Sequence, residues 1–142
     1  VIKSPKLFFI DTGLLCYLLR VETATQLLAS PFGGHIFENM VVMEAVKGFA
    51  GRGERGPCYF YRTSSGQEVD LLIDYGDYLD AYEIKFSASP SNEMTHSLLQ
   101  CKEEYPIKHG SLLTLHRRKH PFSNGIASHH WSEILQLLHQ KS

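Results

Sequence analysis

The spacing of hydrophobic positions changes several times along the chain, and each change predicts an element. Leu7-Phe8-Phe9-Ile10 is a short apolar run of strand length. Asp11-Thr12-Gly13 then offers N-cap chemistry to a short helix over residues 14–19. Residues 23–29 read as a second short helix, stopped by Ser30-Pro31. The strongest helical pattern runs from 34 to 49 and ends at Gly51 and Gly53. Aromatic, strand-like residues follow at 58–62. Ser64-Ser65-Gly66 marks a turn, residues 68–74 a strand, Gly76-Asp77 a hairpin loop and residues 79–86 its return strand. Helical spacing resumes over 94–104, with Leu98 and Leu99, joined by Met94 and Cys101, as its buried side, and stops at Pro106. A strand at 111–115, a polar loop at 117–124 and a helix at 132–140 complete the order.

From residue 34 this order is helix, three strands, helix, strand. Turns as short as those between the three strands permit only antiparallel pairing. The fourth strand follows a helix and pairs in parallel. The expected fold is therefore α/β, a mixed four-stranded sheet flanked by helices. Its core spans 34–115, with a strand and short helices leading in over 1–30 and a loop and helix over 116–142. A length of 142 residues and a hydrophobic fraction of 43% suit one domain with one buried core.

A two-residue loop at Gly76-Asp77 sets the hairpin register. Tyr75 pairs with Tyr78, so Leu72 faces Ala81 and Asp70 faces Glu83. Strict alternation puts Asp70, Leu72, Asp74, Ala81, Glu83 and Lys85 on one face. Val69, Leu71, Ile73, Tyr82, Ile84 and Phe86 then form the core face. Like charges directly opposed across a hairpin are destabilising. Asp70 against Glu83 thus calls for a positive partner: Lys85 on an ordinary solvated face, or a hard divalent cation such as Mg²⁺ or Mn²⁺. Glu38 heads a helical stripe otherwise occupied by Val42, Ala45 and Phe49, which places a carboxylate at the rim of an apolar surface.

Charge and composition narrow the function. Fourteen Lys plus Arg face fifteen Asp plus Glu, a formal charge of −1, which excludes a strongly basic nucleic-acid coat but not local basic patches. No apolar run approaches the ~20 residues of a membrane span, and the first residues lack the apolar stretch of a leader peptide. Cys16, Cys58 and Cys101 are odd in number and widely spaced, which suits a reducing cytoplasm. The histidines show no zinc-ligand spacing. No Gly-x4-Gly-Lys-Ser/Thr loop is present, so the chain has no ATP site of that type. Arg62 is the basic side chain best placed to contact a phosphate, since it ends the strand before Asp70.

Glu38 in a helix, Glu68-Val69-Asp70 in one strand and Glu83-Ile84-Lys85 in the next resemble the PD-(D/E)XK nuclease superfamily. Lys6-Leu7-Phe8-Phe9-Ile10-Asp11-Thr12-Gly13-Leu14, Gly34-His35-Ile36-Phe37-Glu38-Asn39 and Tyr59-Phe60-Tyr61-Arg62-Thr63 resemble a domain of unknown function found at the C-terminus of prokaryotic AAA-type ATPases. The nuclease resemblance implies a restriction-endonuclease-like fold. Asp70 and Glu83 would ligate Mg²⁺ or Mn²⁺, Glu38 would add a direct or water-mediated ligand, and Lys85 would position the attacking water. Val69 stands where the motif has proline. The ATPase resemblance implies an ATPase domain upstream of this chain. The expected function is hydrolysis of DNA phosphodiester bonds. Its alternative is a catalytically inactive nuclease-like module that binds nucleic acid or a partner protein.

Overall fold

A computed structural model describes residues 5–138. Helices α1 (Thr12–Leu18) and α2 (Ala24–Ala29) lead into the long α3 (Gly33–Gly51). Strands β1 (Cys58–Arg62), β2 (Glu68–Asp74) and β3 (Leu79–Ile84) follow, then α4 (His96–Glu104) and β4 (Ile107–Thr114). Two short strands, β5 (His120–Pro121) and β6 (Ala127–His130), precede α5 (Ile134–Leu138). The expected helix over 132–140 is a 3₁₀ turn at Trp131–Glu133 followed by α5, and its last two residues lie outside the described range.

The sheet has six strands rather than four, in the order β1-β2-β3-β4-β6-β5. The expected pairings hold: β1, β2 and β3 are antiparallel, and β4 joins β3 in parallel. Of the two additional strands, β5 arises in the stretch read as loop and β6 in the unassigned residues between that loop and the last helix. β6 pairs in parallel with β4, and β5 caps the edge. Ala127-Ser128-His129-His130 has no apolar alternation to reveal it. Its buried Ser128 is satisfied by the Thr114 hydroxyl at 3.1 Å, and His129 by Glu133 at 3.2 Å.

Helices cover both faces of the sheet. Phe37, Val41, Ala45 and Phe49 of α3 pack with Ile134 and Leu138 against Leu71, Ile73, Tyr82, Ile84 and Leu113. On the other face Leu98 and Cys101 of α4 pack with Leu72, Ala81, Ile107 and Ile126. Each of the buried Val, Leu, Ile and Phe side chains contributes roughly 1.5–3 kcal/mol. The face read as solvated is thus partly a second core.

Residues 7–10 do not form the expected strand. The backbone of Phe9 is satisfied by a side chain instead of a neighbouring strand. Its N–H donates to Asn39 Oδ1 at 2.7 Å, and its carbonyl accepts from Asn39 Nδ2 at 2.9 Å. Asn39 Nδ2 also reaches Thr12 Oγ1 at 3.1 Å. One buried amide of α3 therefore clips the entering segment to the helix that carries Glu38. Asn39→Ala should cost about 1–3 kcal/mol, because Phe9 loses both partners. Denaturant unfolding of the variant checks this, and an unchanged midpoint would show that the clip contributes nothing.

Candidate metal centre

β1 and β2 are out of step at one point. Tyr59 pairs with Leu72, but Tyr61 pairs with Val69, so Phe60 alone stands opposite Asp70 and Leu71. This extra residue in β2 is a β-bulge, which re-aims the side chains around it. Val69 and Leu72 consequently both pack toward α4, while Asp70 and Leu71 both line the α3 side. Strict alternation fails here, and the bulge turns Asp70 to the side that Leu71 lines. The β2–β3 register is as expected from Asp74↔Leu79 to Leu71↔Tyr82. Beyond that point the Ile84 N–H donates at 2.8 Å to Asp70 Oδ2, so the carboxylate itself closes the gap between the strands.

The bulge delivers Asp70 to Glu38. Glu38, Glu68 and Asp70 each offer a carboxylate oxygen, and the three oxygens lie within 4.8 Å of one another. Among the described residues, no other set of three His, Cys, Asp or Glu side chains converges in this way. Glu68 was not among the expected ligands. Its signal was present in the sequence, since positions 68 and 70 of a strand share a face unless a bulge falls between them.

Glu83, an expected ligand, does not join that group. It leaves β3 between Tyr82 and Ile84, which both pack toward α3, and its Oε1 is 2.5 Å from Lys85 Nζ. Glu83 is 3% exposed, and its Oε2 has no hydrogen-bond partner. Lys85 is the more accessible of the pair, with its side chain 41% exposed. Arg62 forks the Glu68 carboxylate through Nε at 3.0 Å and Nη2 at 2.6 Å. Lys6 reaches in from the segment clipped by Asn39 and pairs with Glu38 and Glu68, with Asp70 Oδ1 at 3.8 Å.

The electrostatics follow from burial. Asp70 is raised to about 6, first by burial and then by the charge of Glu38, against the opposing hydrogen bond from Ile84. Glu83 is raised to about 7, again first by burial, then by Asp70, with Lys85 opposing. Asp70 and Glu83 therefore sense one another although they stand in different groups. Burial alone would also raise Glu68, but Lys6 and Arg62 outweigh it and hold its carboxyl below the usual range. Burial works to lower Lys85, yet Glu83 holds it above its ordinary value, so it stays protonated at neutral pH.

These residues fit a hard divalent cation. The donors are all carboxylate oxygens, the set such ions prefer. A buried carboxylate oxygen without a partner, Glu83 Oε2, stands beside them and is costly as it is. A cleft of about 230 Å³ opens next to the cluster between Lys6, Phe8, Val42, Tyr59, Phe60 and Asp70. Tyr59, which lines it, is 59% exposed.

A family model matches residues 33–133, from the first residue of α3 to the turn before α5. The chain belongs to the family described as "Domain of unknown function (DUF4143)". The matched stretch includes Glu38, Glu68, Asp70, Glu83 and Lys85, but not Lys6. Uncharacterized proteins of Mycobacterium bovis and Mycobacterium tuberculosis are each 32% identical to it over 89 residues. Those matches cover 63% of this chain and 19% of each relative, so the chain spans a small part of the proteins it resembles. No solved structure gives a significant match. Among the described residues no helix is long and apolar enough to cross a membrane.

Proposed function

We propose that this is a metal-dependent nuclease-type domain that hydrolyses DNA phosphodiester bonds and works as part of a longer chain with an AAA-type ATPase upstream. The observation that carries the proposal is the convergence of Glu38, Glu68 and Asp70 at the β2 bulge, with buried Glu83 and Lys85 alongside. A structural role alone does not explain why a domain of near-neutral charge gathers four carboxylates around one end of a hairpin. The PD-(D/E)XK resemblance rests on the same residues and supplies the reaction class.

A bound Mg²⁺ or Mn²⁺ would polarise the scissile phosphate and lower the pKa of a coordinated water. Glu38, Glu68 and Asp70 would hold the ion, with Glu83 Oε2 as a further oxygen donor. Lys85, protonated and accessible, would donate a hydrogen bond to the attacking water or to a phosphate oxygen as negative charge builds. Arg62 is partly occupied by Glu68, so its part in phosphate contact is secondary to positioning that carboxylate. The exposed Arg117-Arg118-Lys119 run supplies further positive charge.

The alternative is a nuclease-like module without catalysis that binds nucleic acid or a partner protein. A cleavage assay separates the two. Single-stranded, duplex and branched DNA are incubated with the protein in Mg²⁺, in Mn²⁺ and in chelator. Metal-dependent products that disappear in Glu83→Gln support the enzyme. Binding without any product, in the chain alone and joined to its ATPase, would leave the module.

A further inference from the structure

Lys6 stands 62 residues from Glu68 and 32 from Glu38, yet its ammonium is paired with both, and Asp70 Oδ1 is 3.8 Å away. These are the same three side chains whose oxygens converge as a cation site. We propose that Lys6 is a tethered cation seated in the cradle meant for the divalent ion, so that ion binding and Lys6 insertion exclude one another. The inference rests on the metal-site reading of the cluster.

Three features support it. Glu38, Glu68 and Asp70 are partly or wholly buried, and like charges brought together there need a counter-charge in the absence of an ion. Lys6 supplies one. Its ammonium nevertheless leaves the wider site unsatisfied, because Glu83 Oε2 still has no partner. A +1 and a +2 charge cannot share a space bounded by oxygens within 4.8 Å of one another without strong repulsion. Lys6 also has a way out. Its side chain is 19% exposed, and its ammonium lies 5.7 and 5.8 Å from the ring centroids of Phe8 and Phe60, which flank the adjoining cleft. Asn39 anchors the segment at Phe9, three residues on, so the side chain can withdraw while the backbone stays in place.

The consequence is a preformed resting site. The carboxylates are held together before any metal arrives, and an ion must displace the ammonium to enter. Apparent metal affinity is then weaker than the oxygen set alone would give, and it rises when the competing charge is removed.

Two measurements test this on the intact chain. In the first, Mn²⁺ is titrated calorimetrically into wild type and Lys6→Met, which keeps the apolar stem and removes the charge. The expected result is at least tenfold tighter binding in the variant. In the second, wild type is acetylated with an N-hydroxysuccinimide ester, and labelling is followed residue by residue by mass spectrometry. Lys6 should label slowly in chelator and several-fold faster in saturating Mn²⁺, while the exposed Lys47 serves as an unchanged control. The labelling arm needs no substitution, so it stands even where Lys6→Met fails to fold. Mn²⁺ binding of equal or lower affinity in Lys6→Met, or Lys6 labelling indifferent to bound Mn²⁺, overturns the competition and leaves the metal site intact. An absence of Mn²⁺ binding in wild type and variant alike overturns the metal reading, and the competition with it.

Discussion

Asp70→Ala, Glu83→Ala and Lys85→Ala should each reduce metal-dependent cleavage by at least a hundredfold, for different reasons. Asp70 stands in the three-oxygen cluster, and Glu83 holds the unpartnered oxygen beside it. In the proposed site, loss of either would weaken the hold on the ion and with it the ion's Lewis acidity. Lys85 pairs with Glu83, and its removal would take away the donor proposed to meet developing charge. Mn²⁺ affinity should therefore fall in the two carboxylate variants and stay level or rise in Lys85→Ala. Parallel calorimetry and cleavage assays make the separation visible. Equal loss of metal affinity in all three would show that Lys85 maintains the site's structure instead of serving the reaction.

The second large effect is on stability, and it divides two substitutions at one position. In chelator, Asp70→Asn should leave the protein as stable as wild type or more so at pH 8, whereas Asp70→Ala should lose about 1–3 kcal/mol. An asparagine keeps an oxygen for the Ile84 N–H and removes a buried negative charge; an alanine strands that N–H. The pH dependence has a definite sign. Folding raises Asp70 to about 6 and Glu83 to about 7, above the unfolded values near 4. Between those limits the folded state binds more protons than the unfolded one. The associated stability is present in full below the unfolded values and is lost as pH climbs through about 6 to 7. Glu68, held below its usual range, acts the other way and loses its contribution only on stronger acidification. Wild type in chelator should thus lose stability between pH 5 and pH 8, and Asp70→Asn should lose less. Denaturant melts across that range decide it. A steeper decline in Asp70→Asn than in wild type would mean that the Asp70 charge is stabilised by a partner stronger than Lys6.

Much of this arrangement was legible in the chain. The Gly76-Asp77 loop set the β2–β3 register correctly through Leu71↔Tyr82, and Glu38 was placed on α3 above Val42, Ala45 and Phe49. Two things were not legible, each for a physical reason. The bulge at Asp70-Leu71 depends on pairing with Phe60 of another strand, and strict period-2 reading cannot anticipate it. It turns Asp70 toward Glu38. Lys6 is remote in sequence from all three carboxylates, and the side chain that guides its segment is Asn39, whose amide takes the place of a strand edge. An apolar run such as residues 7–10 reads as a strand because the sequence does not reveal which group will satisfy its backbone.

The proposed cation site comprises Glu38, Glu68 and Asp70, with Glu83 beside them. Calorimetric titration of Mn²⁺ into wild type and Asp70→Asn tests it most directly, because the asparagine preserves the Ile84 hydrogen bond and removes only the charge. The expected result is saturable binding near one ion per chain in wild type and at least tenfold weaker binding in Asp70→Asn. Mn²⁺ that binds equally to both, or to neither, would contradict it.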